Sequence, residues 1–94
     1  MTRGQNVIFG VVRDSTGKPV AQARVYFIEG PGVFPDIAAM TDANGAFSLS
    51  APLAGAYRIE CTADGFTPAT IEVMAISGTS KQVEIEIRLT HNVN

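Results

Sequence analysis

The sequence predicts an all-β fold, a seven-stranded antiparallel β-sandwich, and three observations lead there. Apolar and polar residues alternate in short runs, most clearly where Val83, Ile85, Ile87 and Leu89 stand against Gln82, Glu84, Glu86 and Arg88. A period of two puts each set on its own face of a strand. Gly, Asp, Asn or Pro occupies the joins between runs, where such residues supply positive φ or a side-chain cap for a turn. No segment sustains the 3.6-residue period of an amphipathic helix.

Residues 7–12 are rich in β-branched side chains and form the first strand. Gly10 in its middle gives up packing, which marks a bulge or a close approach by another backbone. Asp14, Ser15, Thr16 and Gly17 make a turn, and Pro19 follows where no ladder donor is needed. Residues 23–29 are the second strand, with Val25 and Phe27 on one face. Residues 30–36 contain Pro31, Pro35, Gly30 and Gly32, and are excluded from the interior of a strand or helix.

Residues 37–41 form a short third strand. Asp42, Ala43, Asn44 and Gly45 turn it into a fourth, where Phe47, Leu49 and Ala51 alternate with Ala46, Ser48 and Ser50. A corner at 52–55 leads to the fifth strand, 56–63. There Tyr57, Ile59, Cys61 and Ala63 face one way, and Arg58, Glu60 and Thr62 the other. Asp64 and Gly65 break that strand. The sixth is 69–74 with Ile71 and Val73 inward, 77–80 is a polar turn, and residues 91–94 are expected to fray after the seventh.

The length of 94 residues suits one domain, 1–94, with a core of about 6–90 and short flexible tails. Apolar residues at 46% and charged residues at 17% indicate a folded globule. The seven Lys and Arg are scattered and the net charge is -2, which excludes nucleic acid as a partner. Cys61 is the single cysteine, so no internal disulfide forms. No apolar run approaches the roughly 20 residues of a membrane span, and membrane insertion is not expected. The first residues lack the apolar core of a secretory signal. The expected compartment is the cytoplasm if the chain is complete, and an extracytoplasmic or surface location if it is excised from a longer exported protein.

Little chemistry is suggested by individual residues, and no catalytic, cofactor-binding or metal-binding residue is assigned. His91 has no Ser or Cys partner by motif and lies in the expected tail. Cys61 alternates with Ile59 and Tyr57, so it reads as a small core hydrophobe rather than a nucleophile. Asp42 begins a stretch that resembles half a calcium loop, but the position of the distal Glu holds Leu53. Glu60, Glu72, Glu84 and Glu86 read as solvated strand faces. The place to look for a contact is the loop 30–36, with Pro31, Val33, Phe34 and Pro35 as partner-binding residues. Prolines there limit the entropy lost on binding, and Phe34 can serve as an aromatic anchor.

Five blocks in order resemble the carboxypeptidase regulatory-like domain. They are Gly10, Val12 and Asp14; Gly17, Pro19, Val20, Ala23 and Val25; Thr41, Asp42, Gly45 and Phe47; Gly55 and Tyr57; and Gly65 with Phe66. The resemblance runs over roughly residues 6–90. It implies a prealbumin- or transthyretin-like Greek-key sandwich, used as a non-catalytic accessory module that makes a protein–protein contact or spaces neighbouring domains. The implied partner is a protein or a fused domain.

Hydroxyisourate hydrolases share the sandwich, but need converging His and Arg residues and a C-terminal Tyr-Arg-Gly-Ser signature, and this chain has one His. A small hydrolase of that type is therefore a remote alternative. The isopeptide crosslink of Cna-B sandwiches needs a Lys where this chain has Val12; its lysines are Lys18 and Lys81. A carbohydrate-binding module is the nearer alternative. Trp is absent and Tyr57 points inward, which leaves Tyr26 as a stacking platform. Charged outward positions on the last strand favour a monomer.

Overall fold

The alternation closes into two four-stranded sheets. The strands are β1 (Asn6–Asp14), β2 (Arg24–Glu29), β3 (Ala39–Met40), β4 (Ala46–Ala51), β5 (Gly55–Thr62), β6 (Phe66–Thr67), β7 (Ala69–Ala75) and β8 (Gln82–His91). One sheet has the order β4-β1-β8-β6 and the other β3-β2-β5-β7. The computed structural model describes residues 6–32, 38–51, 54–75 and 82–91. The expected sandwich is present, with eight strands among the described residues where seven were expected, and one parallel pair among their antiparallel ones. The additional strand is β6. Its two residues lie between the Gly65 turn and Pro68, too few for a period to register, and they pair with Thr90 and His91. Of the expected third strand 37–41, Ala39 and Met40 are paired, Ala38 and Thr41 are not strand residues, and Ile37 lies outside the described residues.

Inward-facing positions fill the space between the sheets. Ile8, Val12, Val25, Phe27, Phe47, Leu49, Tyr57, Ile59, Cys61, Val73, Ile87 and Leu89 are all buried there. Each large apolar side chain withdrawn from water contributes roughly 1.5–3 kcal/mol. The Phe27 and Tyr57 rings meet at 4.7 Å between centroids with a 40° tilt, an arrangement favoured by the ring quadrupoles. Val83, Ile85 and Ile71 pack against this cluster as half-buried side chains.

β1 is the centre of its sheet. It pairs antiparallel with β4, from Asn6↔Ala51 to Val11↔Ala46, and parallel with β8, from Val7↔Gln82 to Asp14↔Leu89. The strand nearest the start of the chain is thereby bound to the strand nearest its end. Of the two readings of Gly10, the close approach holds. A Cβ built there would overlap the carbonyl oxygen of Ile85, while the register on both sides runs unbroken. β8 pairs with β1 on one side, and on its other side β6 covers only Thr90 and His91, so among the described residues Glu84, Glu86 and Arg88 stand on a stretch with one open side. They do not guard the far edge, which is β4.

Thr41 shows how a buried polar group holds the frame. It is 3% exposed. Its Oγ1 accepts from the Ala23 N–H at 2.9 Å and donates to the Val20 carbonyl at 2.7 Å. Its own N–H donates to the Ala23 carbonyl at 2.9 Å. One residue thus fixes the segment that enters β2.

Two stability measurements follow from this packing. Gly10→Ala forces β1 and β8 apart and is expected to cost about 3 kcal/mol in a denaturant melt; a loss below about 0.5 kcal/mol would show that the strands do not approach as described. Thr41→Val leaves the Ala23 donor and the Val20 acceptor buried without a partner. A loss of about 2 kcal/mol is expected, with Thr41→Ser retaining most of the stability. Equal losses for the two variants would assign the effect to volume.

Candidate functional site

The predicted contact loop starts where β2 loses regularity. The β2–β5 register shifts between Phe27 and Glu29, which leaves Ile28 39% exposed. Pro31 is exposed, and a Cβ added to Gly55 would meet the Pro31 ring at 2.9–3.0 Å. Pro31 therefore rests on the backbone at the start of β5, where φ is +137° at Gly55 and only glycine sits without strain. That contact braces the base of the loop. Val33, Phe34 and Pro35 lie outside the described residues.

The outer face of the β2–β5–β7 sheet is ordered by charge. Arg58 donates to Glu72 Oε2 at 2.8 Å and lies 3.5 Å from Glu29 Oε1, and these two carboxylates raise its pKa further. These ion pairs are solvent-exposed and each contributes little to stability. The Tyr26 hydroxyl donates to Glu60 Oε1 at 2.8 Å, a bond that pushes the phenol pKa upward because ionisation would break it. Tyr57 is 1% exposed, as its inward position predicts.

The opposite end of the sandwich holds a polar group that the sequence reading underestimated. Asp14 closes β1 and is 8% exposed. Its Oδ1 accepts from Thr16 Oγ1 at 2.7 Å, from Thr16 N at 2.9 Å and from Lys18 N at 3.0 Å. The Thr16 hydroxyl is the main cause of a carboxyl pKa held down at about 2, outweighing the opposing effect of burial. His91 Nε2 lies 3.8 Å from Asp14 Oδ2, and its ring sits 4.4 Å from that of Phe66. The expected fraying of 91–94 is corrected at His91, while residues 92–94 lie outside the described residues. His91 is the last residue of β8 and pairs with Phe66, a partner hidden in the two-residue β6.

The remaining candidates are structural. Asp42 Oδ1 accepts from the Asn44 and Ala46 amides, both at 2.9 Å, so this carboxylate caps a turn. Cys61 is fully buried, and burial raises its thiol to about 11. A buried protonated thiol is not a nucleophile near neutral pH. Among the described residues no group of three or more His, Cys, Asp or Glu side chains could hold a metal ion. Shallow grooves are lined by the described residues. One of about 320 Å³ is lined by Val11, Arg13, Glu84, Ile85 and Glu86, and another of about 420 Å³ by Ala39, Met40, Asp42, Ala46, Phe47 and Ser48.

The folded pKa of Asp14 lies below its ordinary 3.8, so folding favours the charged form. Its stabilisation is complete above about pH 4 and is lost as pH falls towards 2. Asp14→Asn keeps an acceptor and deletes the charge. In thermal melts the variant is expected to unfold below the parent at pH 7, and the gap should close by pH 2. A gap independent of pH would mean that the charge contributes nothing.

Known structures share this architecture. The major pilin subunit of Bacillus cereus aligns with 90% of this chain and 28% of its own, at 18% identity and a TM-score of 0.70. Hydroxyquinol 1,2-dioxygenase from Pseudomonas putida aligns with 98% of this chain and 58% of its own, at 11% identity and a TM-score of 0.73. A type II cohesin-X-dockerin complex from Acetivibrio cellulolyticus aligns with 92% of this chain and 58% of its own, at 22% identity and a TM-score of 0.59. The sandwich spans less than two thirds of each of these chains, and at these identities the likeness is one of fold. Comparison with curated proteins returned no match. The family model of the carboxypeptidase regulatory-like domain matches residues 7–90, from β1 through β8. The chain belongs to the carboxypeptidase regulatory-like domain family.

Proposed function

We propose that this domain is a non-catalytic accessory module that makes a protein–protein contact or spaces its neighbours. The observation that carries the reading is the share of each similar chain that the sandwich occupies, 28% in the pilin and 58% in the dioxygenase and the cohesin-X-dockerin complex. A fold used repeatedly as one portion of a longer chain suits a supporting role. The polar groups support it too, because Asp14, Thr41 and Asp42 direct their oxygens to backbone amides of the frame. Likeness to a dioxygenase at 11% identity concerns the fold and brings no chemistry with it.

The contact is assigned to the loop 30–36, through Pro31, Val33, Phe34 and Pro35. Pro31 braced on Gly55 supports this, since a residue already held in place loses less entropy on binding. A sugar platform has less behind it. Tyr57 is in the core, and Tyr26 has its hydroxyl engaged by Glu60.

The test is Phe34→Ser, with capture of the native partner from the source cell by crosslinking. Partner capture is expected to vanish while the melting temperature stays within about 2 °C of the parent, as for substitutions away from a core. A large loss of stability with capture intact would place Phe34 in the interior and end the loop assignment. Immunodetection of the native polypeptide belongs with it. A species above 9.9 kDa is expected for a module with fused neighbours, and a species at that mass would replace the spacer role with that of a free-standing adaptor.

A further inference from the structure

β4 is an edge strand with no guard. Natural sheets protect their edges with charge, proline, bulges or very short strands. β3 and β6 have two residues each, β7 carries Glu72, and the stretch of β8 that β6 leaves open carries Glu84, Glu86 and Arg88. β4 reads Ala46, Phe47, Ser48, Leu49, Ser50, Ala51. It has no charge and no proline, and its pairing to β1 runs without a bulge.

The ladder shows which backbone groups face outward. The Val12 N–H donates to the Gly45 carbonyl at 2.8 Å, and the register continues through Gly10↔Phe47, Phe9↔Ser48, Ile8↔Leu49 and Val7↔Ser50. Facing pairs in an antiparallel ladder alternate between bonded and non-bonded. Phe47, Leu49 and Ala51 therefore direct their amides and carbonyls to β1, and Ala46, Ser48 and Ser50 direct theirs away. Ala46 is already closed: its N–H donates to Asp42 Oδ1 at 2.9 Å and its carbonyl accepts from Asp42 N at 3.1 Å. No strand of the described residues pairs with that side of β4, so Ser48 and Ser50 are two open rungs.

We infer that this edge pairs with β4 of a second copy of the chain, antiparallel about a two-fold axis at Leu49. Only that register uses both open rungs, with Ser48 of each copy exchanging its N–H···O=C bonds with Ser50 of the other. It keeps Phe47, Leu49 and Ala51 on the core side in both copies and joins the two sheets across the axis. Charge decides for self-pairing at this edge. An uncharged strand meets its own image without repulsion, whereas two-fold pairing centred on β7 would set Glu72 against Glu72. Beside β4 runs the groove lined by Met40, Ala46, Phe47 and Ser48, where the 60%-exposed Met40 side chain offers apolar cover to an arriving strand. A single strand pair is a small interface, and the dimer is of the transient class.

Sedimentation equilibrium of the full chain from about 10 µM to 1 mM tests this, with amide hydrogen exchange read in parallel. A dimer is expected to grow with concentration, and the Ser48 and Ser50 amides to slow as it does. Ser48→Lys sets like charges near one another across the axis. Ser48→Pro deletes the outward donor and leaves the bonds to β1 in place. Each should weaken association by at least about tenfold without lowering the melting temperature of the Lys variant. A monomer at every concentration overturns the proposal. So does a dimer that Ser48→Lys leaves intact, or an unrelated extended peptide that pairs with β4 while the chain stays monomeric.

Discussion

The close passage of β1 against β8 at Gly10 is the constraint from which the rest of the molecule follows. Ile85 presents its carbonyl where any other residue at position 10 would place a side chain. Because the pairing is parallel, it requires everything between the two strands to be folded as a crossover. The contacts that hold the centre of the first sheet therefore span nearly the whole chain. Such topology forms slowly and as a unit. The same register brings Asp14 opposite Leu89 and so puts His91 within reach of the Asp14 carboxylate.

Most of this architecture was legible because alternation is a strong signal over five or more residues. β4 and β5 bury the side chains that the period of two selects, and β8 buries Ile87 and Leu89 and half-buries Val83 and Ile85. What escaped was short or non-local. β6 has too few residues to show a period, and without it His91 had no visible partner and looked like a frayed end. The parallel sense of β1 and β8 is a property of topology, which composition along a strand does not encode. Thr41 could pass for a strand residue, since nothing local announces that its hydroxyl reaches Ala23 and Val20.

The candidate site was less legible than the fold, for a physical reason. A contact surface needs no particular constellation of residues, whereas a catalytic centre does. Turn chemistry at Asp14 and Asp42 could be read from the sequence, and both carboxylates do cap turns. The depth of the Asp14 site could not, because it depends on Thr16, Lys18 and His91 converging from a turn and a distant strand. The open rungs of β4 depend in the same way on sheet order, and sheet order is set by the β1–β8 pairing.

Amide hydrogen exchange measured residue by residue on the dilute monomer tests that dependence most directly. The slowest amides should be the ladder-facing ones of residues 8–12 and 83–89, exchanging together in a single cooperative opening. Exchange of the 8–12 amides at the rate of the turn residues 15–17, with β2 and β5 still protected, would contradict the central place given to β1.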